Sequence, residues 1–182
     1  EISEKPLVVH MHATEFDRSA KTNPQVYEIE RQGMMAADKV MAVSDLTRNV
    51  IIKNYGIAPE KVLTTYNGVL QEAENETHEP SKLKEKIVTF LGRITYQKGP
   101  EYFVEAAEKV LTKNMNVRFV MAGSGDMMHK MVQLVAAKRL SSKFHFTGFL
   151  RGNHVNKMYA QSDVFVMPSI SEPFGIAPLE AI

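Results

Sequence analysis

From Ile87 onward the chain repeats one pattern four times: a short apolar run, a turn, then a stretch with apolar residues at helical spacing. The runs are Ile87–Leu91, Val117–Met121, Phe144–Thr147 and Val164–Met167. Unbroken apolar runs of this length suit strands covered on both faces, as in a parallel sheet flanked by helices. The alternation therefore predicts an α/β fold, a Rossmann-like doubly wound parallel sheet with right-handed crossovers. Sheets of that kind take ligands at the carboxyl ends of their strands, so the turns after the runs are where chemistry is expected.

The earlier part of the chain carries the same rhythm. Pro6 to His12 and Lys39 to Val43 read as strands. Asn23-Pro24 reads as a cap and first turn, followed by Val26, Ile29, Gly33 and Ala37 as an inward stripe. Ser44-Asp45 caps a second helix, with Leu46, Val50 and Ile51, that stops at Tyr55-Gly56. A short strand and turn follow between Pro59 and Val69. Downstream, the expected inward stripes are Phe103, Ala106, Ala107, Val110 and Leu111, then Met128, Met131, Val132 and Val135, then Val155, Met158 and Tyr159.

Gln71 to Lys84 is polar, charged and nearly devoid of large apolar residues, which marks a linker. The expected organisation is residues 1–70 as the last part of a first Rossmann-like domain, 71–84 as linker, and 85–182 as a second Rossmann-like domain incomplete at its C-terminus. The chain opens without Met and stops at Ala181-Ile182, one turn into a helix, so truncation at both ends is expected.

Bulk properties exclude several classes. Across 182 residues the net charge is +1, which supplies no electrostatic case for nucleic acid or an anionic membrane. The absence of cysteine removes disulfide frameworks and thiolate metal sites. No apolar run approaches the length of a membrane span, and the opening residues do not form a signal peptide. A cytoplasmic location is the expectation.

Candidate chemistry is concentrated in the turns. Ser169 to Glu180 reads as loop and helix start after an apolar strand, with Glu172 and Glu180 at its two ends and Gly175 between them. A helix beginning near Ile176 would aim its first amides, Gly175 to Ala177, at a phosphate. Glu180 could accept from two ribose hydroxyls, while Glu172 faces whatever the phosphates carry. The turn after Leu91 carries Gly92, Arg93, Lys98 and Gly99; Arg can fork onto two phosphate oxygens and Lys adds a point charge. Gly123 and Gly125 begin like a dinucleotide fingerprint, but Met128 stands at the third glycine and no acidic residue follows about twenty positions on, so an NAD site is rejected. The two glycines either let the backbone approach a nucleotide or simply make the turn. His10 and His12 share a strand face, a geometry able to hold a metal, yet no further ligand has recognisable spacing and no metal site is expected.

Glu172-Pro-Phe-Gly-Ile-Ala-Pro-Leu-Glu180 resembles the paired-glutamate motif of the retaining nucleotide-sugar glycosyltransferases of family four, also called group one, built of two facing Rossmann-like domains in the GT-B fold. Gly-Arg93-x4-Lys98-Gly is similar to the diphosphate-binding loop of that family, and Ala-Val-Ser followed by Asn67-Gly68-Val69 matches the order in which it leaves its first domain. The resemblance implies that residues 1–70 belong to the acceptor-side domain and 85–182 to the nucleotide-sugar-binding domain, that His12 lies at the donor sugar, with His10 an ordinary core histidine, that Arg18 helps form the acceptor side, and that Leu150 contacts the base. Catalytic roles then fall to His12, Arg93, Lys98 and Glu172. Donor binding falls to Gly92, Gly123, Gly125, Leu150, Gly175, Ile176, Ala177 and Glu180.

With no Asp-x-Asp in the chain, metal-independent transfer is expected, the cations neutralising the departing diphosphate. The implied reaction moves a sugar, with retention, from a UDP-, ADP- or GDP-sugar to a hydroxyl of a carbohydrate or lipid acceptor, without cofactor. No covalent nucleophile is apparent, which points to same-face displacement assisted by the leaving phosphate. A polysaccharide, a glycolipid or a glycogen-type glucan would each serve as product, and peripheral membrane contact is compatible with such a role in the full protein. Competing readings are a sugar-nucleotide epimerase, a phosphorylase, for which a pyridoxal phosphate lysine signature is lacking, and a noncatalytic nucleotide- or glycan-binding module.

Overall fold

The computed structural model describes residues 5–18, 21–69 and 83–182. Residues 71–82 of the expected linker lie outside the described residues. Two compact units emerge, Glu1–Val69 with Ser171–Ile176, and Leu70–Ile170 with Ala177–Ile182.

The first unit is built on three parallel strands, β1 (Val8–Met11), β2 (Lys39–Ala42) and β3 (Val62–Thr64), in the order β1-β2-β3. Helix α1 (Glu15–Arg18) and helix α2 (Pro24–Ala36) connect β1 to β2, and α3 (Asp45–Tyr55) leads from β2 toward β3. The expected helix starts are present: Asn23 accepts from the Gln25 amide with Pro24 in the first turn, and Ser44 accepts from the Thr47 amide. Gly56 ends α3 in the left-handed conformation at φ 69°. The core joins Met11, Met34, Val40, Ala42, Ile51, Tyr55 and Val62.

The inward face of α2 differs from the expected stripe. Ile29 is 70% exposed, while Met34 is fully buried and Ala37 nearly so. Tyr27, Glu30, Met34 and Ala37 form the covered face, one helical position round from the apolar-only stripe, because Glu30 finds hydrogen-bond donors inside and so can face inward. Leu46 is likewise exposed; Thr47, Ile51 and Tyr55 are the buried residues of α3.

The second unit holds a four-stranded parallel sheet of β4 (Lys86–Leu91), β5 (Val117–Ala122), β6 (Phe144–Gly148) and β7 (Val164–Phe165), ordered β6-β5-β4-β7. Helices α4 (Pro100–Leu111), α5 (Met128–Ala137) and α6 (Asn153–Ala160) make the crossovers, and α7 (Ile176–Glu180) follows β7. Alternate side chains of each strand go to opposite faces. Phe90, Phe119 and Met121 join Phe103, Val104, Met131 and Phe144 on one side; Ile87, Val120 and Ala122 join Met158 on the other. Both faces are thus covered, the doubly wound arrangement. Phe103 sits at the centre of an aromatic cluster, its ring 5.7 Å from Phe90, 5.8 Å from Phe119 and 6.0 Å from Phe144.

Here too some stripe positions are corrected. In α4 the buried set is Pro100, Phe103, Val104, Ala107 and Leu111, leaving Ala106 and Val110 outside; in α5 Val132 is exposed beside buried Met131 and Val135. Each helix covers the sheet with one stripe, and apolar side chains a step round from it stay in water. β7 pairs through only two residues, shorter than the expected run.

Since the chain moves outward from β4 through β5 to β6 and then returns to the other side of β4, the direction of winding reverses between β4 and β7. The loops after those two strands flank the crevice that such a reversal opens. No helix among the described residues is long and apolar enough to cross a membrane.

Candidate functional site

Three loops leave the carboxyl edge of the second unit's sheet and are joined through their backbones. The Gly92 amide donates to the Ala122 carbonyl at 3.0 Å, the Ile94 amide to Ser124 at 2.9 Å, and the Gly123 amide to Gly148 at 2.8 Å. Close approach explains the glycines. A Cβ on Gly123, which has φ 144°, would meet the Gly92 carbonyl oxygen at 1.8 Å, and one on Gly125 would meet that of Ile94 at 2.3 Å. Both glycines thus let one loop lie against another.

These loops enclose a hollow of about 210 Å³ lined by Leu91, Gly92, Arg93, Ala122, Gly123, Ser124, Phe149 and Leu150. Three residues expected from the sequence to bind the donor, Gly92, Gly123 and Leu150, and one expected to be catalytic, Arg93, therefore line one cavity. Its walls are mostly apolar with a single cation at the edge, a lining suited to a flat ring with an anionic tail. Phe149 is 62% exposed, and the Arg151 guanidinium lies 5.2 Å from its ring centre.

The β4 loop is a tight structure. The Thr95 amide donates to the Arg93 carbonyl, and Tyr96–Lys98 forms a 3-10 turn closed by the Gly99 amide on Tyr96. Gly99 takes the left-handed conformation, φ 61°, and a Cβ there would meet the Pro168 carbonyl oxygen at 2.3 Å. Buried Gln97 holds both sides of the crevice: its side-chain oxygen accepts from Arg93 Nη2 at 3.1 Å, and its carbonyl accepts from the Ile170 amide at 2.9 Å. Arg93 is thereby an exposed guanidinium steered by a fixed neighbour, and Lys98 is half-buried five positions on. Thr95 Oγ1, between them in the chain, is the one buried side-chain polar atom without a hydrogen-bond partner among the described residues.

Glu180 does not line the hollow. It is exposed, and its carboxylate accepts from the Tyr159 hydroxyl of α6 at 3.3 Å. Burial, reinforced by that carboxylate, pushes the Tyr159 hydroxyl well above the usual tyrosine range, so it remains a donor. Helix α7, expected to present Gly175 to Ala177 to a phosphate, is five residues long.

In the first unit, the loop after β1 carries His12. Both histidines of that strand are exposed, with ring centres 4.1 Å apart, so His10 is no core residue: Val9 and Met11 face inward, and the alternation of a strand turns residues 10 and 12 outward together. Burial and then the proximity of His12 lower the His10 pKa. Arg18, expected on the acceptor side, donates to Glu30 at 2.7 Å and to the Ala13 carbonyl at 3.2 Å.

The Glu172 segment packs within this unit. Ser171 Oγ donates to Asp17 Oδ1 at 2.6 Å, and the Phe174 ring lies 5.9 Å from Tyr66. Tyr66 and Thr64 donate to Asp45, whose carboxyl is held below its ordinary range first by Thr64 and then by Tyr66. Glu172 accepts from the Gly175 amide at 3.3 Å, with Gly175 at φ 48°. That amide, expected for a phosphate, is thus engaged by the loop's own carboxylate. Phe149, Ser124 and Gln97 were missed in the sequence, being two loop residues without charge and one buried amide. No cluster of three or more His, Asp or Glu able to hold a metal occurs among the described residues.

Comparison with known proteins gives this geometry its context. The family model "Glycosyltransferase Family 4" matches residues 2–72, and "Glycosyl transferases group 1" matches residues 71–182. The chain is 32% identical over 196 residues to the uncharacterized glycosyltransferase MJ1607 of Methanocaldococcus jannaschii, covering 100% of this chain and 50% of that protein. It is 28% identical to the alpha-D-kanosaminyltransferase of Streptomyces kanamyceticus, over 97% of this chain and 50% of that one. The crystal structure of Anabaena Alr3699/HepE in complex with UDP-glucose superimposes with a TM-score of 0.78 at 21% identity, over 97% of this chain and 50% of the other. The chain spans about half the length of these relatives, and the fold shared with the solved structure is of the GT-B type. With one family model covering residues 71–182 and a relative at 32% identity matched over the whole of this chain, the chain belongs to the glycosyl transferases group 1 family.

Proposed function

We propose that the intact protein transfers a sugar, with retention, from a nucleoside-diphosphate donor to an acceptor hydroxyl, and that residues 85–182 hold the donor. The observation that carries this reading is the convergence of Gly92, Arg93, Gly123 and Leu150 on one hollow at the carboxyl edge of the sheet. The base enters the hollow against Leu150 and Phe149. Arg93 and Lys98 take the diphosphate, and Glu180 on α7 serves the ribose after exchanging its Tyr159 partner for the sugar hydroxyls.

In the reaction, the bond between the anomeric carbon and the β-phosphate oxygen breaks, and its electron pair leaves with the diphosphate. The acceptor oxygen bonds to the same face of that carbon, and its proton passes to the departing phosphate oxygen. Negative charge grows on the leaving group as the bond lengthens, so the cations of the β4 loop contribute most in the transition state. His12 and Glu172 position the transferred sugar. The lack of an Asp-x-Asp pair supports transfer without a metal ion, and the resemblance at Glu172 to Glu180 supports retention. A UDP-sugar is the first donor to test, because HepE is seen in complex with UDP-glucose. Carbohydrate and lipid acceptors, and a cytoplasmic location, stay within the proposal.

Incubating the intact protein with UDP-, GDP- and ADP-sugars and following release of the nucleoside diphosphate tests the reading. One donor should be consumed, and Arg93→Ala should slow its consumption. A protein that binds nucleotide but consumes none of the donors, with or without added sugar acceptors, would instead be a binding module.

A further inference from the structure

Partly buried among the aromatic residues of the first unit is a carboxylate to which the proposed reaction assigns no role. Glu30 lies on the inward face of α2 with its side chain 11% exposed. Its Oε2 accepts from the Glu15 amide at 2.9 Å and from the Tyr55 hydroxyl at 2.5 Å, and its Oε1 accepts from Arg18 at 2.7 Å. Arg18 spends the same nitrogen on the carbonyl of Ala13, the residue next to His12. In return, buried Glu15 accepts from the Asn23 amide at 2.9 Å, which holds the cap of α2. The two helices thus exchange a carboxylate for an amide in each direction.

The surroundings make Glu30 hard to replace. Tyr55 is 1% exposed, stacked 4.8 Å from Tyr27 and edge-on to Phe16, and its hydroxyl faces Glu30. A partly buried carboxylate is retained in such a place only when its lone pairs are taken, and here three donors take them. Two of the three, the Glu15 amide and Arg18, belong to α1, the short helix that directly follows the loop carrying His12, and Arg18 also holds the Ala13 carbonyl of that loop. We propose that Glu30 is a positioning residue: through Arg18, Ala13 and the start of α1 it fixes the loop after β1, and with it the imidazole of His12. The proposal rests on the sugar-positioning role proposed above for His12.

Two measurements on the intact protein test it. Hydrogen exchange reads the loop without reference to activity: Glu30→Gln keeps the shape of the side chain but places an amide against Arg18, and exchange across residues 13–18 should quicken about tenfold or more while α3 stays protected. A double-mutant cycle reads the coupling. Glu30→Gln should lower kcat by roughly tenfold or more with donor KM little changed, and should lower it no further once His12→Ala is present. Should Glu30→Gln lower protection throughout the unit, Arg18→Met cuts the same path at its exposed end and is read in the same way.

Unchanged exchange at residues 13–18 overturns the proposal. So does a fall in kcat by the same factor with and without His12, which is what a merely structural carboxylate would give. If His12→Ala itself leaves kcat at the wild-type value, the role of His12 fails, and the exchange rates alone then decide whether Glu30 anchors the loop.

Discussion

A methyl group built on Gly123 would sit 1.8 Å from the carbonyl oxygen of Gly92. These two residues join the loops after β4 and β5 and line the same hollow, so their contact shapes the cavity proposed to hold the donor. Gly123→Ala must push the loops apart and adopt φ near 144°, which is unfavourable for a side-chain-bearing residue. A loss of about 2–4 kcal/mol in stability is expected, seen as a lower Tm, together with loss of nucleotide binding at temperatures where the variant is still folded. Native-like stability with intact binding would show that the loops need no such proximity.

Phe103 tests the core that holds the sheet edge in place. It is 1% exposed and touches Phe90, Phe119 and Phe144. Phe103→Ala should cost about 3–5 kcal/mol, measured by urea denaturation, since the cavity lies between three rigid rings that cannot collapse into it. A cost under about 1 kcal/mol would mean that the cluster is loosely packed.

Acid should weaken the second unit at the amino edge of its sheet. Lys86, and then the Ile87 amide, hold the Asp163 carboxyl below its ordinary 3.8. Lys143 and then Arg118 do the same for Glu85, below 4.5. A depressed carboxyl pKa stabilises the fold above the unfolded value, and that contribution disappears as pH falls through the folded one. The urea midpoint should therefore fall between about pH 5 and pH 3, and less steeply in Asp163→Asn and Glu85→Gln. Equal slopes in the wild type and both variants would remove these groups from the account.

Much of the fold was legible because its signals are local. Asn23-Pro24, Ser44 and Gly56 mark helix ends by their own hydrogen bonds and backbone angles, and the apolar runs mark buried parallel strands whatever their partners. Side-chain direction was less legible where a polar residue faces inward. Ile29 looks like core and Glu30 like surface until Tyr55, Arg18 and the Glu15 amide are placed around the carboxylate, and those partners come from distant positions. The same holds at the site. The place of Gly92 and Arg93 on the turn after β4 was readable, but Gln97 steers Arg93 only because the loop folds into a 3-10 turn, and Gly175 meets Glu172 only because the backbone turns at φ 48°.

The most direct measurement is calorimetric titration of the intact protein, wild type and Arg93→Ala, with UDP, GDP and ADP. Arg93 is the cation on the rim of the hollow, and a charge-assisted contact to phosphate is worth about 1.5–3 kcal/mol. The account predicts that one of the three binds the wild type at a single site and that Arg93→Ala weakens it about tenfold to hundredfold. Binding of none of them, or equal affinity in the two proteins, would contradict it.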